Sequence, residues 1–259
     1  MSTGVRYSEP DHSLHGVYLK LKRADENLIN LEVEIGTFLK DCKYPVIPGK
    51  NDSRLQEALQ YYRELRAPLR FSVLAGEIIH HLRSALDHIV WTLTDKSYKT
   101  PDNESAIAFP ILVNRPVTKR QIESLERKIA GVKHAWAIDL IKKRQPYEAA
   151  DALDDPLFIV HEMDRLTKHR ELPLVITSVV MRVTSSSAEL HAAIKAHTQG
   201  KKLSPREDAL VTLAVQQSDP RLDVAFPDFG RRKTQAIVPS LAELLNYVVC
   251  VSEGFAERL

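Results

Sequence analysis

The chain has 259 residues, 44% hydrophobic and 27% charged, the make-up of an ordinary globular protein long enough for one large domain or two small ones. A formal charge of +2 excludes the all-round basic surface of a protein that coats nucleic acid, while leaving room for a local basic cleft. Cys42 and Cys250 have no metal-like spacing, the N-terminus shows no signal pattern, and no apolar run approaches the roughly 20 residues of a membrane span, so a cytoplasmic protein with reduced thiols is expected.

Leu14, Val17, Leu21, Ala24, Leu28, Leu31, Ile35, Phe38 and Cys42 alternate spacings of three and four, an a/d seam that predicts a long helix over 12–42. Asp11 or Ser13 can cap its start. The seam fits a helix lying along a bundle, and part of it could also form a dimer. Residues 43–52 (KYPVIPGKND) read as a turn-rich connection, and 53–66 as either a short helix or a strand.

Residues 70–95 carry the densest chemistry. On a helical wheel Leu74, Ile78, Leu82, Ala85, Leu86, Ile89 and Leu93 fill an apolar arc. Opposite, in angular order, stand Arg83, Gly76, Asp87, His80, Trp91, Ser84, Glu77, His88 and His81, so three of ten histidines and two carboxylates share one face. The loop 96–117 has three prolines, and its apolar AIAFPILV is expected to tuck against the bundle. Helices follow over 118–130, stopped by Gly131, and over 133–144, ended by Gln145–Tyr147. Asp155 before Pro156 starts a helix over 155–170, with Ile159, Met163 and Leu166 buried. Arg170 falls in the same stripe and would need a carboxylate or the helix C-terminal carbonyls as partner.

After Pro173 the texture turns β-branched. Residues 175–184, 209–217 and 222–229 read as strands, and 187–198 as a short helix or loop. Residues 240–258 return to helix, with Ser240 and Glu243 spaced as a capping box. The expected fold is therefore α+β: a single domain, mainly a helical bundle over 12–171 and 240–258, with a small antiparallel sheet inserted at about 172–238.

Arg83–His88 (RSALDH) resembles the R-x4-6-H motif of the HEPN superfamily, helical-bundle proteins among which many are metal-independent ribonucleases. The resemblance implies a composite site at a homodimer interface, RNA as substrate, no cofactor and no metal, and a toxin or phage-defence role. Histidine can take the 2′-hydroxyl proton and arginine can stabilise the phosphorane charge. Arg83, His88, Asp87, His169, Arg170 and Glu77 are the candidate catalytic residues, and His81, Trp91 and Lys168 the substrate-binding ones. On a straight helix Arg83 and His88 lie about 140° apart, and the bland alternative is an Arg83–Asp87 ion pair beside a packed His88.

A broader likeness covers residues 70–172. The blocks GExxHxLRSALDHxxW (76–91), FPI (109–111), QPY (145–147) and KHRxL (168–172) resemble a set of uncharacterised bacterial proteins that carry them in the same order, though with an acid where this chain has Thr167. It implies no activity, but it implies that the helices bearing Gly76–Trp91 and Lys168–Arg170 face each other.

Two other readings stand beside the ribonuclease. One is a non-catalytic binding or scaffold module whose polar helix face forms a hydrogen-bonded network. The other is a metal-dependent hydrolase using Glu77, His81 and His88, with His161, Glu162, Asp164 or His169 completing the shell. Trp91 could stack on a base or cover the bundle. The basic runs 142–144 and 231–233 could contact phosphate or simply be solvated.

Overall fold

The a/d seam of the first helix is buried from Leu14 to Ile35 in the computed structural model, which describes residues 12–42, 65–179, 192, 204–207, 221–229 and 231–259. The helix is α1 (His15–Asp41). Its start has no side-chain cap: the Leu14 N–H instead donates to His12 Nδ1 at 3.1 Å, so Ser13 does not act as the cap, and Asp11 lies outside the described residues. The seam packs within the chain, chiefly on α2 (Leu69–Leu93), and leaves none of those a/d positions for a second copy.

Helix α2 is the hub of the larger of two compact units, with α1, α6 (Pro156–Thr167) and α7 (Ile237–Ala256) packed around it. This unit holds described residues 12–42, 66–175, 225–229 and 231–259, and the smaller holds the rest. All seven residues of the expected apolar arc of α2 are buried. Between α2 and α6 come a 3₁₀ turn (Lys96–Tyr98), α3 (Pro101–Glu104), α4 (Lys119–Ile129), α5 (Ala135–Lys143) and a second 3₁₀ turn (Pro146–Glu148). Thr118 and Gln121 close a reciprocal capping box on α4. Asp155 caps α6 through the Leu157 N–H, with Pro156 at the first turn as its sequence predicts.

Strands β1 (Val175–Val179), β2 (Arg221–Phe226) and β3 (Gln235–Ala236) form a three-stranded antiparallel sheet in that order, so the chain is α+β and mainly helical. Ala225 pairs with Ala236 and Phe226 with Gln235. The expected strand at 209–217, the segment 53–64 and most of 187–198 lie outside the described residues.

Strand β3 runs straight into α7, which starts at Ile237 rather than 240. Pro239 fits in the first turn because its missing N–H would have no partner there. The expected Ser240–Glu243 box is therefore corrected. Ser240 Oγ donates to the Ala236 carbonyl at 2.8 Å, and Glu243 accepts from Arg232, which also bonds Asp154. Helix α7 corrects a second expectation, since by length and apolarity it could span a membrane; half of that window is buried inside the unit, as suits a core helix.

Candidate functional site

The polar side of α2 divides into three parts. The first is a clamp on the backbone of residues 109–112. Phe109, Pro110 and Ile111 are buried yet lie outside the sheet, so their backbone groups need partners. Arg83, only 8% exposed, donates through Nη2 to the Phe109 carbonyl at 2.8 Å and lies 2.7 Å from Asp87 Oδ1. The Phe109 N–H donates to the same Asp87 oxygen at 2.8 Å. Arg83 and Asp87 thus close on Phe109 as a neighbouring strand would. Gln145 does the same two residues on: its Nε2 donates to the Pro110 and Ile141 carbonyls, and its Oε1 accepts from the Leu112 N–H at 3.0 Å. The RSALDH, FPI and QPY blocks are therefore one hydrogen-bonded assembly. Arg83 stands on the polar arc of the wheel, but the structure buries it, because the FPI segment covers that edge of the helix.

Burial pushes the Asp87 carboxyl up against the opposing effect of Arg83, and pushes the nearby Lys128 ammonium and His161 imidazole down, with the Arg83 charge adding to both. Arg83 Nη1 is buried without a hydrogen bond.

The second part is a strip of α2 beside α1, running from Glu77 to Trp91, about 21 Å at 1.5 Å per residue. Glu77 accepts from Asn27 Nδ2 at 3.1 Å. His88 lies against the Gly16 backbone, where an added Cβ would overlap its ring. Burial lowers the pKa of both His81 and His88. Lys20 contributes to both shifts, Arg23 to that of His81 and Lys99 to that of His88, while Glu77 opposes that of His81 and the adjoining Gly16 backbone that of His88, whose Nδ1 is buried without a hydrogen bond. Lys99 Nζ sits 4.8 Å above the ring of Trp91, which is 36% exposed.

These shifts carry a prediction. His81, His88 and His161 each titrate below 6.5 in the folded chain, so the unfolded chain binds more protons as pH falls through 6.5. Their contribution to stability is complete above pH 6.5. It is expected to decline below it, by at most about 1.4 kcal/mol per pH unit for each histidine, until the depressed values are passed. Urea midpoints measured from pH 7.5 to 5 should show this slope, and His161→Gln should flatten it. An equal slope in that variant would remove His161 from the account.

The third part is a cleft of about 500 Å³ between the N-terminal half of α2 and the end of α6. Gly76 permits the approach, since a Cβ there would sit 3.3 Å from Thr167 Cγ2. Ser72 Oγ ties the two walls by donating to the Leu172 carbonyl at 2.9 Å. Glu77, His80, His81, Lys168, Arg170 and Glu171 are among the residues that line it. Beneath lies Asp164, 2% exposed, with Oδ2 2.6 Å from Lys168 Nζ and Oδ1 3.4 Å from His80 Nδ1.

Of the residues expected from sequence, Glu77, His81, Lys168 and Arg170 meet at this cleft. Arg83 and Asp87 belong to the clamp, while His88 and Trp91 stand along the strip. His169 is exposed and does not line the cleft. Arg170 is also exposed, not in the buried stripe: α6 ends at Thr167, and the wheel does not extend past its end. The helices bearing Gly76 and Lys168 do face each other, as the block order implies. Sequence reasoning missed Asp164 as the anchor of His80, and the cations Lys20, Arg23 and Lys99, none of which carries a local signal. Among the described residues no three His, Cys, Asp or Glu side chains are grouped to hold a metal ion, and the Glu77–His81–His88 set is not such a group. No family model, no curated protein and no solved structure matches this chain.

Proposed function

We propose that the protein is an RNA-binding helical module whose contact surface is the strip of α2 from Glu77 to Trp91. The observation that carries this reading is the grouping of Lys20, His88, Lys99 and Trp91. Lys99 sits over the partly exposed Trp91 ring and Lys20 lies near His88 on the same strip, a combination of cations and an aromatic ring that suits a single-stranded backbone and its bases. It concentrates basic charge locally on a chain of net charge +2.

Fluorescence anisotropy with a short single-stranded RNA tests it. The triple variant K20E, R23E, K99E is expected to bind at least about tenfold more weakly. Its log–log salt slope should be shallower by about 2, since each lost phosphate contact on a single strand removes about 0.7. Wild-type protein that fails to bind RNA at low salt, or a triple variant with unchanged affinity, would sink the reading.

A second reading keeps the expected metal-independent ribonuclease of Arg83 and His88, with a toxin or defence role. One observation favours it: burial, with Lys20 and Lys99, holds His88 towards the neutral form, which can accept a proton at neutral pH. It requires Arg83 to leave the Phe109 carbonyl. Loss of RNA cleavage in both Arg83→Ala and His88→Ala, with folding intact, is the result that would establish it.

A further inference from the structure

The cleft between α2 and α6 holds a constellation that neither RNA binding along the strip nor the backbone clamp uses. Asp164 is almost wholly buried, and its Oδ1 makes no hydrogen bond in the resting structure. The His80 ring faces that oxygen, with Nδ1 at 3.4 Å. The His80 side chain is 62% exposed and lines the cleft. A buried carboxylate facing one imidazole nitrogen leaves the other nitrogen for a ligand, the arrangement that orients a histidine for proton transfer. Contacts of this kind are often long without substrate and close when it binds. The same carboxylate also holds Lys168 at the cleft, through its other oxygen at 2.6 Å.

The hydroxyls lining the cleft are already committed. Ser72 donates to the Leu172 carbonyl, and Thr167 donates to the Asp164 carbonyl at 2.9 Å. Chemistry here would therefore take its nucleophile from the ligand. A ribonucleotide carries one, its 2′-hydroxyl, beside a phosphodiester whose developing charge Lys168 and Arg170 could stabilise.

We infer that this cleft is a proton-transfer site for single-stranded RNA, with His80 as general base and Asp164 as the residue that positions it. The inference rests on RNA being the ligand, and it places the chemistry away from Arg83 and His88. His80 Nε2 takes the 2′-hydroxyl proton, and O2′ forms a bond to phosphorus. The bond from phosphorus to O5′ breaks, and O5′ takes a proton from the Lys168 ammonium. The products are a 2′,3′-cyclic phosphate and a 5′-hydroxyl, and exchange with solvent returns His80 and Lys168 to their starting states.

The test is single-turnover cleavage of the RNA used for binding, in chelator, with the product ends read by mass spectrometry. Wild-type protein is expected to give cyclic phosphate ends. His80→Gly should cleave at least about 100-fold more slowly, the usual contribution of a general base, and added imidazole should restore part of the rate. Asp164→Asn is expected to lower kcat with little change in KM. If that buried substitution unfolds the chain, the exposed His80→Gly variant with imidazole rescue still decides. RNA that binds but is not cleaved overturns the inference and leaves the binding reading standing. Cleavage unaffected by His80→Gly overturns it too, and absence of binding and cleavage together overturns both.

Discussion

Arg83→Ala is expected to destabilise the fold by about 3 kcal/mol, the lower end of what removing one partner of a buried ion pair costs. The substitution deletes the donor to the Phe109 carbonyl and leaves Asp87 facing Lys128 across a cavity, with only the Phe109 N–H to satisfy it. The lower end applies because the Asp87 side chain retains some contact with water, being 36% exposed. Arg83→Lys should recover little of the loss. A lysine offers a point charge, whereas the guanidinium Nη2 contacts both the carbonyl and the carboxylate. Urea unfolding followed by circular dichroism measures this directly. An Arg83→Ala protein of wild-type stability would mean that the clamp does not hold the FPI segment, and would reopen a catalytic role for Arg83. The same experiment bears on the ribonuclease resemblance, which requires the variant to remain folded while losing activity.

Gly16→Ala should cost about 1–3 kcal/mol, through overpacking against His88. The ring nitrogens Nδ1 and Nε2 would lie 3.1 and 3.2 Å from the new Cβ, and Cε1 closer still. The wall is the Cε1 edge of an imidazole held between α1 and α2, so relief requires that ring to move. In a His88→Ala background the sign should reverse. The obstacle is gone, and alanine is a better helix former than glycine by up to about 1 kcal/mol. A coupling of this size is within the range seen for residues in contact. Equal destabilisation in both backgrounds would show that Gly16 is required for a reason unconnected with His88. The pair also reports on function. His88 is held against backbone within reach of the charges of Lys20 and Lys99, so variants that release it should weaken RNA binding along the strip.

What local pattern could determine, it did. The seam from Leu14 to Ile35, the apolar arc of α2, the Asp155–Pro156 start of α6 and the change to β-branched residues after Pro173 each depend on a period or a cap within a few residues. They emerge as α1, α2, α6 and the start of the sheet. The start of α7 was less legible: a well-spaced Ser240–Glu243 pair signals a cap there, but strand pairing of Gln235 and Ala236 delivers the chain to Ile237 already poised to turn.

The polar face of α2 shows where local pattern ends. The sequence by itself determined that Arg83, Asp87, Glu77 and three histidines lie on one helix, and that the blocks around Gly76 and Lys168 belong together. Only the tertiary structure decided which of these groups remain available to a ligand. A helical wheel does not know that Phe109 will cover one edge of α2, that Asn27 and Lys20 will flank another, or that Asp164 will be buried between His80 and Lys168. The physical reason is that burial and charge pairing are set by neighbours distant in sequence. They can turn an arginine suited to holding phosphate into a backbone clamp, and set one histidine of the polar face against a buried carboxylate.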